Sequence, residues 1–165
     1  MPLVDALLAE LKAETGATRR VLARVPMDRL TWRPHAKSMS LGQLAWHVAT
    51  LQQGVAHLLD ELDCQAPVFA QREASPDDDL LATLETSTAF AASQLSAWDD
   101  TGLRERWTMR RGDRVVMQMP RRDMVRTAMF NHWYHHRGQL TVYLRLLDVP
   151  VPSVYGPSAD ENPFG

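Results

Sequence analysis

A single cysteine, Cys64, rules out an intramolecular disulfide in these 165 residues, and a reducing compartment is the simplest setting for such a chain. An isolated thiol stays inert unless its surroundings activate it. Long apolar runs are also missing, since no segment approaches the roughly twenty residues that a membrane-spanning helix needs. Basic charge is not in surplus: 18 lysines and arginines stand against 20 aspartates and glutamates, a formal charge of −2. A binder of phosphate backbone normally shows a net basic domain or stripe, and Arg110-Arg111 and Arg121-Arg122 are too short for one. Neither nucleic acid nor a membrane is therefore expected as a partner. There is no glycine-rich phosphate loop and no pair of Glu-x-x-His motifs of the di-iron bundle kind, so nucleotides, a di-iron centre and haem have no support. The segment from Met1 to Lys12 mixes acidic and apolar positions, unlike a secretory signal. The expectation is a mature, soluble, cytoplasmic protein. With 45% hydrophobic residues, the length suits one domain over 1–165 and is too short to argue for two.

What the chain does have is helical periodicity. Leu3, Leu7, Leu8, Leu11, Thr15, Thr18, Leu22 and Val25 form one amphipathic face that ends at Pro26. After a loop containing Trp32-Arg-Pro34, Ser40-Leu-Gly-Gln43 fits a capping box for a second helix, with Leu44, His47, Leu51, Val55, Leu58 and Leu62 on its face. A third helix is predicted from Ser75-Pro-Asp-Asp-Asp79, Ser75 capping and Pro76 taking the first position, to about Trp98. The period then changes. Arg106–Arg110 and Arg114–Met119 flank Arg111-Gly-Asp113 like a short β-hairpin. A fourth helix is predicted from about Arg121 to Leu147, stopped by Val149-Pro-Val-Pro152, with a non-helical tail over about 148–165. The fold class is all-α, a four-helix bundle with a short hairpin or extended insertion between helices 3 and 4, a fold whose sites lie between facing helices.

The most informative residues are His132 and His136 in Phe130-Asn-His-Trp-Tyr-His-His-Arg-Gly-Gln-Leu140. At i and i+4 they rise from one helix face and suit two ligands of one metal ion. At about 100° per residue both fall in the sector of Val125, Met129, Leu140, Tyr143 and Leu147, which predicts that they face the bundle interior, with His135 at its edge. The same projection puts His47 at the rim of the second helix's apolar face and turns His57 to solvent, while His35 lies in a loop. His47 is the natural third ligand. Three imidazoles buried together would leave several polar nitrogens to satisfy, and one divalent ion takes a lone pair from each.

These residues also resemble a known family. Trp32-Arg-Pro-His35, Ser38-Met-Ser-Leu-Gly-Gln-Leu-Ala-Trp-His47, His132-Trp-Tyr-His-His-Arg-Gly-Gln-Leu140 and Pro152-Ser-Val-Tyr-Gly-Pro-Ser-Ala-Asp160 look like the DinB/YfiT-like metalloprotein superfamily. The resemblance implies a four-helix bundle, a three-histidine divalent metal site carried over to His47, His132 and His136, and frequently a homodimer. Trp133 departs from the pattern, because many relatives carry an acidic residue in this block. Characterised relatives include transferases and isomerases that depend on small thiols (mycothiol, bacillithiol, glutathione) and metal-dependent hydrolases.

Three neutral protein ligands leave a coordination position open, as catalytic rather than structural zinc sites do. An ion held this way lowers the pKa of a coordinated water or thiol toward neutrality. The reading is a divalent-metal enzyme acting on a small molecule, either a low-molecular-weight-thiol S-transferase or a hydrolase, with zinc or nickel foremost and iron or manganese admitted. No general base can be named; Gln43, Gln139 and Tyr143 are close by helical spacing and suit supporting hydrogen bonds. The alternative is a non-catalytic metal-stabilised bundle or a stress-associated interaction protein.

Overall fold

A computed structural model describes residues 2–68 and 71–165. Helix α1 (Leu3–Leu22) buries Leu7, Leu11, Thr18 and Leu22 of its predicted face. Its own N-terminus has no side-chain cap. Asp100, far along the chain, supplies one by accepting from the N–H groups of Leu3 and Val4, and those two hydrogen bonds hold its carboxyl below the usual range.

Helix α2 (Leu41–Asp60) begins with the predicted capping box: Ser40 accepts from the Gln43 N–H, and Gln43 reaches back to the Ser40 N–H. Just inside it, Gly42 lets another segment approach, since the Ala74 N–H donates to the Gly42 carbonyl. A Cβ at Gly42 would stand 2.9 Å from Cγ of Glu73, 3.1 Å from Cβ of Leu30 and 3.2 Å from the Ala74 carbonyl. Gly42→Ala is therefore expected to destabilise the protein by about 1–3 kcal/mol, the usual range for overpacking, read as a lower urea midpoint.

Helix α3 (Leu80–Gly102) starts later than predicted. Asp79 is its cap, accepting from Leu81 and Ala82 N–H. Ser75 and Pro76 instead belong to a turn closed by Asp78, which accepts from both the N–H and the hydroxyl of Ser75. The regular part of α3 ends at Trp98, as expected, because Asp99 takes φ 44°.

The hairpin is present as β2 (Arg106–Arg111) and β3 (Arg114–Pro120), paired antiparallel, with Gly112 in the turn at φ +59°. A third strand, β1 (Asp63–Gln65), pairs parallel with β2. The fold is thus mostly helical with a three-stranded sheet, one strand beyond the predicted hairpin.

The last helical rod has three consecutive parts: α4 (Arg121–Met124), a π-helix (Val125–Asn131) and α5 (His132–Leu146). The backbone stays right-handed through both junctions, so the parts form one continuous rod. Helices α1 and α2 pack along α3, and α5 packs on α2 with a lighter contact to α1. One apolar cluster joins Leu11 and Val21 of α1, Leu44 and Leu59 of α2, Leu84 and Leu95 of α3, Trp107 of β2, and Phe130, Trp133, Leu140 and Leu144 of the last rod. No helix among the described residues is long and apolar enough to cross a membrane.

Candidate metal centre

The π segment decides where the histidines point. A π turn bonds i to i+5 and so advances less per residue than an α turn. Here the His132 N–H donates to the Thr127 carbonyl, five residues back. The rod's buried stripe accordingly runs through Val125, Met129 and Phe130 within the π segment, then Trp133, Arg137, Leu140 and Leu144 in α5. His132 and His136 fall beside that stripe rather than within it. His132 is exposed and His136 half-buried, which corrects the expectation that both face the interior.

Across from them stands His47, half-buried on α2. Two hydrogen bonds lock the helices in this register. The buried Trp133 indole N–H donates to the Val48 carbonyl at 2.9 Å, and the amide nitrogen of buried Gln52 donates to the Met129 carbonyl at 2.9 Å. Trp133 is therefore a core anchor in this chain. Val48 is the residue after His47, so the anchor fixes His47 directly.

One ring nitrogen from each of His47, His132 and His136 lies within 4.8 Å of the others. The ring centroids are 5.2 Å apart for His47 and His132, 4.6 Å for His47 and His136, and 4.5 Å for His132 and His136. The Nε2 atoms of His132 and His136 approach to 2.7 Å. Nδ1 of His136 lies 2.7 Å from Oε1 of Gln139, one turn further along α5. Of the other histidines, His135 is exposed with its ring 5.0 Å from that of His136. His57 is exposed and lies 4.2 Å from the Phe90 ring, and His35 accepts from the Lys37 N–H within its loop. The remaining residues named by spacing support the frame: Gln43 belongs to the capping box, and the Tyr143 hydroxyl donates to the Met39 carbonyl while its ring meets Trp32 edge-on.

Electrostatics favour the neutral, ligand-ready imidazoles. Burial, then repulsion from His136 and His132, lowers the His47 pKa to about 4. Burial also lowers His132 and His136. No carboxylate figures among the causes at any of the three, and none joins the cluster among the described residues. The donors are thus uncharged, convergent and reachable from solvent through His132, a set that fits a borderline divalent cation.

The same shift has a sign in the metal-free protein. His47 titrates at about 4 when folded, against 6.5 as the ordinary value, so between these values the unfolded chain binds more protons. Stability therefore rises with pH across that window and is fully present above it. Urea unfolding of metal-free protein is expected to give a higher midpoint at about pH 7.5 than at about pH 5, with a smaller difference in His47→Gln.

Sequence periodicity missed two residues that shape the site. Arg137, within the histidine motif, is 2% exposed and forms an ion pair with Glu14 of α1 at 2.7 Å, donating also to the Thr18 hydroxyl and to Tyr155 of the tail. Gln52 carries no periodic signal as a polar residue on a buried face. A surface hollow of about 390 Å³ lies elsewhere, among Arg20, Arg24, Pro152 and Glu161. It holds no histidine, and its Arg24 is paired with Glu161 at 3.0 Å.

Comparison with known proteins agrees with this architecture. The chain is 28% identical over 160 residues to the uncharacterized protein YrdA of Bacillus subtilis (strain 168), covering 96% of this chain and 91% of that one. Its fold is similar to the crystal structure of a DinB-like protein from Bacillus cereus, with TM-score 0.72, 24% identity, and coverage of 93% of this chain and 98% of the other. It is also similar to that of the DinB-like protein YjoA from Bacillus subtilis, with TM-score 0.69, 21% identity, and coverage of 90% and 96%. The sequence model of the DinB family matches residues 1–162, and the chain belongs to that family.

Proposed function

We propose that this protein is a metal-dependent enzyme acting on a small molecule, with His47, His132 and His136 holding one divalent ion. The observation that carries the reading is the convergence of three neutral imidazole donors from two helices at a solvent-reachable rim. When bound, such an ion supplies Lewis acidity and lowers the pKa of a coordinated water or thiol. The chain's own part is positional. Helix α2 holds His47 through the Trp133 and Gln52 contacts, and neutral donors leave the ion's charge undiminished for an incoming ligand.

Two reactions use those properties: transfer of a low-molecular-weight thiol to an electrophile, and hydrolysis of an ester or amide. The lack of a carboxylate in the cluster suits a thiol, which brings its own nucleophile, and makes S-transfer the leading choice. A site that only stabilised the fold would close its coordination sphere with a fourth protein ligand. None joins the cluster among the described residues.

Elemental analysis of protein purified without a nickel column tests the metal, with about one ion per chain expected. Screening metal-loaded protein with thiols plus electrophilic acceptors, in parallel with ester and amide substrates, tests the reaction. Absence of any tightly bound divalent metal would overturn the proposal.

A further inference from the structure

We infer that Gln139 is a positioning residue that selects the tautomer of His136 and so decides whether its Nε2 is free for an ion. The inference rests on the metal-centre reading above and adds to it a residue outside the three ligands. Oε1 of Gln139 lies 2.7 Å from Nδ1 of His136. An amide oxygen only accepts, so Nδ1 carries the proton and Nε2 keeps its lone pair. The second contact fits the same direction. His136 Nε2 lies 2.7 Å from His132 Nε2, and with His136 as acceptor the proton between them belongs to His132. With the amide oxygen toward the ring, the bonds run from His132 to His136 to Gln139.

No comparable partner fixes the other two rings. Among the described residues, neither His47 nor the remaining nitrogen of His132 makes a hydrogen bond to a side chain or backbone carbonyl, whereas metal-bound imidazoles are commonly oriented through their second nitrogen. The orientation of the His136 ring thus depends on this one amide. Glutamine is a particular choice for the task, because its end can rotate and present nitrogen instead of oxygen. The NH₂ would then donate to Nδ1, the ring proton would move to Nε2, and the atom directed at the cluster would be blocked. A carboxylate at the same place accepts in either orientation and adds negative charge that strengthens the imidazole as a ligand. Glutamine keeps the ligand set neutral and holds its tautomer less firmly. Gln139 is exposed, so its replacement leaves the core intact.

Three proteins test this: wild type, Gln139→Leu and Gln139→Glu. In metal-free protein at about pH 8, where imidazoles are neutral, nitrogen-15 NMR of His136 is expected to show the Nδ1–H form in wild type and in Gln139→Glu, and to show a shift toward Nε2–H in Gln139→Leu. Competition with a chelator for zinc is expected to show Gln139→Leu binding roughly 10–100-fold more weakly and Gln139→Glu binding more tightly than wild type, with thermal midpoints of the metal-free forms alike. A leucine variant with wild-type tautomer and zinc affinity would overturn the inference, as would a glutamate variant as weak as the leucine one. Wild-type protein that bound no zinc would defeat the metal-centre reading instead. The NMR comparison would then still decide the role of Gln139.

Discussion

Replacing His136 by alanine is expected to strip the protein of stoichiometric metal while leaving it folded. Structural zinc sites bind with roughly 10–16 kcal/mol shared among four ligands, or ~3 kcal/mol each. Loss of one ligand should therefore weaken affinity by about two orders of magnitude. His47→Ala should do the same from the other helix. Both side chains are half-buried and His132 is exposed, so none of the three supports the core as Trp133 or Leu140 does. The metal-free forms of wild type and variants should unfold at similar denaturant concentrations, which separates loss of ligand from loss of fold. His57→Ala and His35→Ala serve as controls, because both residues are exposed and make their contacts elsewhere. Metal retained at wild-type affinity in both the His47 and His136 variants would contradict the assignment. Any activity found by screening should fall with metal content and stay unchanged in the two controls.

The largest effect on stability should come from Arg137→Met. The guanidinium is 2% exposed and pairs with a Glu14 carboxylate that is itself only 15% exposed. Taking away the cation leaves that carboxylate nearly buried with no opposite charge, a change that typically destabilises by about 3–5 kcal/mol. Against a total stability of about 5–15 kcal/mol, this is enough to move the urea midpoint by a large fraction of its value. The tail should respond as well, because Tyr155 donates to Glu14 and also contacts Arg137. Limited proteolysis should become faster in the segment after α5. A double variant, Glu14→Met with Arg137→Met, should recover part of the loss, since the uncompensated charge is then gone. A loss below about 1 kcal/mol in the single variant would mean that solvent reaches Glu14 far more freely than its exposure implies.

Local chemistry was readable wherever a few neighbouring residues decide the outcome. The Ser40–Gln43 box, the break at Trp98 and the hairpin around Gly112 all follow from side-chain spacing and turn residues, and all are present. Ser75 shows where the same reasoning stops short. Its sequence suits a cap, but Asp78 turns back to it and also binds Arg72, so the helix waits for Asp79. Strand β1 has three residues, too few for alternation to register, and its pairing with β2 spans more than forty positions. The candidate site was legible as a set of residues and not as a geometry. Helical spacing brought His132 and His136 together and nominated His47, but a uniform 100° per residue carried the core stripe straight through Val125–Asn131. The offset between Val125 and Met129 on one side and Phe130, Trp133, Leu140 and Leu144 on the other was the available signal. Arg137 was hidden for another reason: a charge on a helix reads as surface unless its partner, here on α1, is known.

The π segment therefore acts as a phase shifter within one rod. Before it and after it the rod serves the same core, yet the two halves meet that core with different residues in the helical sequence, and the histidine pair is carried round to the rim. A one-residue deletion within 125–131 would keep all three histidines and still change the angle between the buried residues of α4 and the histidine pair by about 100°.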